Sequence, residues 1–368
     1  MKLSLFLFIL VGPCCIMTNQ LLQYHFINEN KSWDQARLYC KDNNHTDLAT
    51  VISMADMNRL RQHLGNRSAW IGLYREANGS TMWQWSQPDV QFNESRDNGW
   101  DTDEPNDNGI ENCGTLNTNK KWADLSCNRA KPFICYDEKT PSHVIYANES
   151  LNWTDAQSFC RDRHTDLISG PEQMKKLDGG KTKELIQQSE GGFVFIGLFR
   201  DAWQWSDGSS FSFRFWNLQY DDEKNDSSCA MMNEGGRWSS ENCSEEHPFI
   251  CYDDHVILIK ESRTWEEALY YCRHHHHDLV TITNMDEQRW VQEKTKKASS
   301  AFVWTGLRYT CTLGFWFWVS DEVVHYKNWA SPGQVNECDM SGAMETGGEH
   351  KWFKRNDEEK FNFFCSTS

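Results

Sequence analysis

After its first residues the chain has no apolar run of spanning length, and a membrane helix takes about 20 such residues. It also has no basic surplus. Lys and Arg number 37 against 53 Asp and Glu, for a net charge of −16. Covering a phosphate backbone needs a cationic surface, so nucleic acid is not an expected partner. Neither a glycine-rich phosphate loop nor a G-x-S-x-G nucleophile elbow occurs, which leaves nucleotide and serine-hydrolase chemistry without a motif. The cysteines do not show the paired C-x-x-C spacing of zinc sites, so disulfides are the better reading.

What the chain does have points to export. Lys2 followed by the apolar run Leu3 to Val11 reads as a secretory signal, with Gly12, Pro13, Cys14 and Cys15 near its cleavage site and residues 1–18 removed. The mature chain is then expected to be soluble, secreted and extracellular. Of 14 cysteines, 12 remain after that cleavage, an even number suited to an oxidising compartment. Asn30, Asn44, Asn66, Asn78, Asn93, Asn148, Asn152, Asn225 and Asn242 begin glycosylation triplets. Asn242 precedes a cysteine and is the poorest of them. The 18 tryptophans are expected mostly in cores, where large aromatics bury the most area.

Three copies of one pattern follow one another. Trp33-Asp34-Gln35-Ala36, Trp153-Thr154-Asp155-Ala156 and Trp265-Glu266-Glu267-Ala268 lead to Cys40, Cys160 and Cys272. Asp47-Leu48, Asp166-Leu167 and Asp278-Leu279 come next, then Trp70-Ile71-Gly72-Leu73, Phe195-Ile196-Gly197-Leu198 and Trp304-Thr305-Gly306-Leu307. The copies close on Phe133-Ile134-Cys135, Phe249-Ile250-Cys251 and Phe363-Phe364-Cys365. A period of about 110–120 residues is far above that of solenoids, and each copy is long enough for its own core.

Within a copy, Ser32 or Thr264 suits a helix N-cap and the acidic residues after it suit the first turn. A second helix is expected over Ala55 to Leu64 and over Asp286 to Lys297. The Trp-Ile-Gly-Leu and Phe-Ile-Cys stretches read as short strands. Long polar segments such as Asn78 to Lys120 lie between them, and loops of that length are usually functional. Two helices, a small sheet and one large loop make an α+β domain.

The four-cysteine frame, Trp-Ile-Gly-Leu, Glu104-Pro105-Asn106 and Trp122-Ala123-Asp124 together resemble the C-type lectin-like domain. The resemblance covers residues 22–137, 142–253 and 255–366. The tandem layout is similar to part of the mannose receptor family and to short secreted or receptor-type lectins of fish. It implies small antiparallel sheets with a long disulfide-pinned loop in each domain. It also implies the bridges Cys40–Cys135 with Cys113–Cys127, and Cys160–Cys251 with Cys229–Cys243. Bridges over loops of about 100 residues each contribute about 4–5 kcal/mol in the chain-entropy model. Copy three keeps Cys272–Cys365 but has Asp357 where the partner of Cys338 belongs. Its extra Cys311 is expected to pair with Cys338.

The resemblance assigns calcium and carbohydrate to Glu104, Asn106, Glu111 and Asp124, all oxygen donors of the kind calcium takes. Carboxylates would accept from sugar hydroxyls and amides would donate to them. Pro105 matches a proline held cis. Glu-Pro-Asn implies the mannose-type choice of sugar. Ala123 stands where the family has asparagine, which removes one oxygen and one amide, so binding is expected to be weakened. Gln87-Pro88-Asp89 spells the galactose-type triplet but follows Trp83-Gln84-Trp85-Ser86, which aligns it with an earlier strand and turn. Copy two has Trp238-Ser239-Ser240 and lacks Glu-Pro-Asn in Asn217 to Asp222. Copy three has Trp352-Phe353-Lys354, a cation in place of the carboxylate. Neither should bind sugar this way.

The expected function is calcium-dependent binding of mannose-type glycans or glycoproteins through copy one, with microbial surfaces and innate immune recognition among the uses. The alternative is a lectin-like, protein-binding receptor fragment that needs neither calcium nor sugar. A single weak site implies oligomers or favours the alternative. Glu104 and Glu111 could suggest a glycosidase, but calcium ligation explains them better and no enzyme is expected. His274 to His277 read as a solvated helix end, since four adjacent imidazoles cannot all face one metal.

Overall fold

The computed structural model describes residues 21–65, 67–75, 81–88, 90–106, 110–217, 228–331 and 338–367. The signal segment and the copy-two stretch 218–222 therefore lie outside the described residues. No helix among the described residues is long and apolar enough to cross a membrane.

Copy one supplies β1 (Leu22–Lys31), α1 (Trp33–Asp42), β2 (Asp47–Leu48), α2 (Met54–Leu64) and β3 (Ala69–Arg75), then β4 (Met82–Trp85), β5 (Cys113–Leu116), β6 (Trp122–Leu125) and β7 (Lys131–Tyr136). Copy two supplies β8 (Val144–Leu151), α3 (Trp153–Arg163), β9 (Asp166–Leu167), α4 (Gly170–Met174), α5 (Gly179–Gln188) and β10 (Val194–Asp201). It continues with β11 (Trp203–Trp205), β12 (Ser228–Met232), β13 (Trp238–Glu241) and β14 (His247–Asp254). Copy three has β15 (Val256–Arg263), α6 (Trp265–His275), β16 (Asp278–Leu279) and α7 (Met285–Thr295). Its second half is β17 (Phe302–Thr310), β18 (Phe315–Trp318), β19 (Met340–Glu345), β20 (Trp352–Asn356) and β21 (Phe361–Ser366).

Local chemistry explains the helix ends. Thr264 and Glu267 form a reciprocal capping box at α6, which satisfies two otherwise orphaned donors. Ser53 and Asn152 accept from the N3 amides of α2 and α3. Copy two's second helix is split, because Asp178 restarts the chain by accepting from Gly180 N and Lys181 N. Each copy brings four tryptophans together. Trp122 stands edge-on to Trp85 and Trp100 at 5.3 and 5.7 Å. Trp238 does the same with Trp205 and Trp216, and Trp352 with Trp318 and Trp329. Such edge-to-face pairs add about 0.5–1.5 kcal/mol each beyond burial.

Copies one and two exchange their second halves. One sheet runs β1-β14-β3-β12-β13, so copy one's first half carries copy two's last strands. The other runs β6-β5-β10-β7-β8, the reverse combination. Among the described residues, the strands of copy three pair with one another, in the order β15-β21-β17-β19-β20. The same backbone bond marks all three units: Ser206 N to Gly72 O, Ser86 N to Gly197 O, and Val319 N to Gly306 O. It crosses between copies in the first two cases and stays within the copy in the third.

The long bridges follow this exchange. Cys40 pairs with Cys251 and Cys135 with Cys160, which corrects the expected Cys40–Cys135 and Cys160–Cys251. The two sheets thus each draw strands from both sequence copies 22–137 and 142–253. The bridges Cys113–Cys127, Cys229–Cys243, Cys272–Cys365 and Cys311–Cys338 are formed as expected. At separations of 211 and 25 residues, the exchanged long bridges total about 9 kcal/mol in the chain-entropy model, much as the within-copy pair would. Loop entropy therefore does not choose between the two arrangements.

The turn in copy two does. In copy three, four residues separate β17 from β18 and a hairpin forms, with Thr310 opposite Phe315. In copy two, Ala202 alone lies between β10 and β11. A hairpin in the equivalent register would turn on Asp201-Ala202. Two-residue hairpins need positive φ, usually from Asn or Gly, and a residue with a Cβ loses about 1–2 kcal/mol there. The chain instead runs straight on, and Arg214 holds it so. Arg214 donates to both oxygens of Asp201 at 2.8 and 3.2 Å and to the carbonyls of Phe211, Phe213 and Trp203.

Candidate functional site

The loop that carries the candidate ligands lies against β6. Trp122 N donates to Gly99 O and Asp101 N to Trp122 O. Gly99 is required by this approach, because a Cβ there would meet the Trp122 ring at 2.3 Å. The chain then turns through Asp103, which has φ 66°, to a cis Glu104–Pro105 peptide.

Asp124 is the buried centre of the site. Its position is set by the β5–β6 register, Gly114 opposite Asp124. Asn106 N donates to Asp124 Oδ1 at 3.0 Å, and Asn106 Nδ2 donates to Glu104 Oε1 at 2.9 Å. Glu104 Oε2 is buried with no donor in reach. Burial, then the adjoining Asp124 carboxylate through hydrogen bonding and charge, then the Glu111 charge push the Glu104 carboxyl up from 4.5 to about 7. Two acids in contact cannot both ionise freely without a cation or a shared proton. The structure thus gathers Glu104, Asn106 and Asp124, while Glu111 acts on Glu104 through its charge. Residues 107–109 lie outside the described ones.

The donor set fits a hard cation: carboxylate and amide oxygens, one of them buried and unpartnered. Two features oppose it. Ala123 is only 3 % exposed and supplies no oxygen. Arg200 of β10 stands 3.6 Å from Asp124 Oδ2. Its guanidinium also donates to Asn112 Oδ1 and to the Glu111 carbonyl, and it lies over the Trp83 ring. The motif reading missed Arg200 because it belongs to copy two and enters the site only through the exchange. The short Asp201-Ala202 turn is the sequence signal that could have found it.

The same register position differs in the other units. Ala230 faces Ser240, and Gly342 faces Lys354. Neither position offers a carboxylate. Gln87 is buried and accepts from Gln173 Nε2 at 2.6 Å, remote in role from Glu104. Asp89 lies outside the described residues. In copy three, Asp357 takes the disulfide's place. Its carbonyl receives Trp265 N, as Cys127 and Cys243 receive Trp153 N and Trp33 N. Its carboxylate pairs with Arg308 at 3.1 Å, and burial holds its carboxyl above the usual range. His274, His275 and His277 are exposed at the end of α6.

A family model described as Lectin C-type domain matches residues 29–137, 149–253 and 261–367. The human C-type mannose receptor 2 is 27 % identical over 85 % of this chain and 24 % of that protein. Human lymphocyte antigen 75 is 25 % identical over 82 % of this chain and 21 % of its own length. The chain thus spans about a quarter of these relatives or less. Among solved structures, human lithostathine aligns with a TM-score of 0.28 at 28 % identity, covering 30 % of this chain and 80 % of that one.

Proposed function

Because the chain belongs to the C-type lectin domain family over three successive segments, we propose that it binds mannose-type glycans through calcium at one site. Glu104, Asn106, Glu111 and Asp124 would hold the ion, and the ion would supply the charge that sugar hydroxyls coordinate. Asn106 would donate and Glu104 accept at those hydroxyls. The observation that carries this reading is the buried, unpartnered Glu104 Oε2 beside Asp124. Secretion and an outer-surface glycan as the natural target complete the proposal.

One observation favours a second reading. Arg200 already brings a cation to Asp124, so this module could have become a protein-binding surface that needs no calcium. Calorimetric titration of the full chain separates the two. One calcium per chain, lost in Glu104→Gln and in Asp124→Asn, is expected. No binding at millimolar calcium would refute the first reading and leave the second.

A further inference from the structure

We propose that His25, His45 and Asp253 form a transition-metal site of the zinc class, built by the exchange between copies one and two. His25 Nε2 lies 2.8 Å from Asp253 Oδ2, and His45 Nδ1 lies 2.7 Å from Asp253 Oδ1. The two imidazole centroids are 4.7 Å apart. All three donor atoms fall within 4.8 Å of one another. Tetrahedral zinc with ligands at about 2.0–2.1 Å spaces its donors about 3.3 Å apart. Each imidazole already lies closer than that to one Asp253 oxygen, and the remaining separations, at most 4.8 Å, close with movements of about 1.5 Å or less.

The scaffold holds the three residues independently of any ion. His25 lies on β1 beside β14, which ends in Asp253-Asp254. The loop bearing His45 is tied by His45 N to Cys40 O and by Thr46 N to Tyr252 O. The Cys40–Cys251 bridge fastens the same loop and strand. All three side chains are partly exposed, at 29, 18 and 26 %, so an ion can enter and solvent can complete the shell. Two imidazoles and one carboxylate suit zinc or copper better than calcium, which takes oxygen. The corresponding carboxylate of the other module, Asp137, meets one imidazole, His164 at 3.0 Å, and accepts from Lys139 N at 2.9 Å, while His143 turns to the Asp137 carbonyl. The three donors come from both copies, so the site also reports which halves are paired.

Zinc chloride titration of the full chain tests this by calorimetry. His274, His275 and His277 are first changed to Asn, so that the exposed tract cannot contribute. One zinc per chain is expected. His25→Ala, His45→Ala and Asp253→Asn should each weaken it at least tenfold, while Asp137→Asn should not. Cobalt(II) should give an intense visible band at the same stoichiometry, lost in the same variants. Each variant's far-ultraviolet dichroism without metal shows whether it folds, and Asp253→Asn keeps the side-chain shape if an alanine variant does not. Absence of zinc binding, binding indifferent to Asp253→Asn, or zinc displaced by calcium or removed by Glu104→Gln would each overturn the proposal.

Discussion

Arg214→Ala is the sharpest perturbation of the exchanged fold. Arg214 and Asp201 are 2 and 6 % exposed, and the guanidinium spends its bonds on Asp201 and three carbonyls at the crossover. Removing it leaves the Asp201 carboxylate buried, with the Trp203 amide as its remaining donor among these contacts. Breaking a buried pair from one side costs about 3–5 kcal/mol, because the remaining charge is uncompensated. With a urea slope of about 2–3 kcal/mol/M, the unfolding midpoint falls by about 1–2.5 M. Urea unfolding of the oxidised chain, followed by tryptophan fluorescence, measures this. The double variant Asp201→Asn, Arg214→Met should lose less than Arg214→Ala alone, since it strands no charge. A single variant within about 1 kcal/mol of the parent would refute the idea that this pair holds the crossover.

Further outcomes rest on the same geometry. Peptide mapping of the unreduced protein should find Cys40–Cys251 and Cys135–Cys160, and inserting Asn-Gly between Asp201 and Ala202 should shift the map toward Cys40–Cys135 and Cys160–Cys251. Calcium affinity should rise with pH. Glu104 is raised to about 7, so the ion-free protein holds a proton that calcium must displace. One such proton weakens binding about tenfold between pH 8 and pH 6, and a flat calorimetric profile would contradict it. By the same sign, Glu104's contribution to the stability of the ion-free protein is present below 4.5 and lost as pH rises through about 7. Ala123→Asn returns one amide hydrogen bond of about 0.5–1.5 kcal/mol, so glycan retention should improve a few-fold by surface plasmon resonance.

Much of this was legible in the sequence because its signals are local. The caps, the Trp-Ile-Gly-Leu strands and the short bridges such as Cys113–Cys127 depend on neighbouring residues. So does the Glu104–Asn106–Asp124 contact, once a loop is known to lie on β6. Partner choice between repeats is different. Gly72 and Gly197 present the same carbonyl, and Ser206 and Ser86 the same amide, so either half fits either copy. A within-copy hairpin would have to turn on Asp201 and Ala202 alone, a small energetic difference that favours the exchange. Arg200 at Asp124 and Asp253 between His25 and His45 are consequences of that exchange, and no motif within a single copy marks either.

The proposed calcium-dependent glycan site in one of the three repeats is open to a direct test. Retention of the full chain on immobilised mannan, with calcium and then with chelator, tests it most directly. Retention in calcium, release by chelator and no retention of Glu104→Gln are expected. No retention in calcium, or retention that survives both chelator and Glu104→Gln, would contradict it.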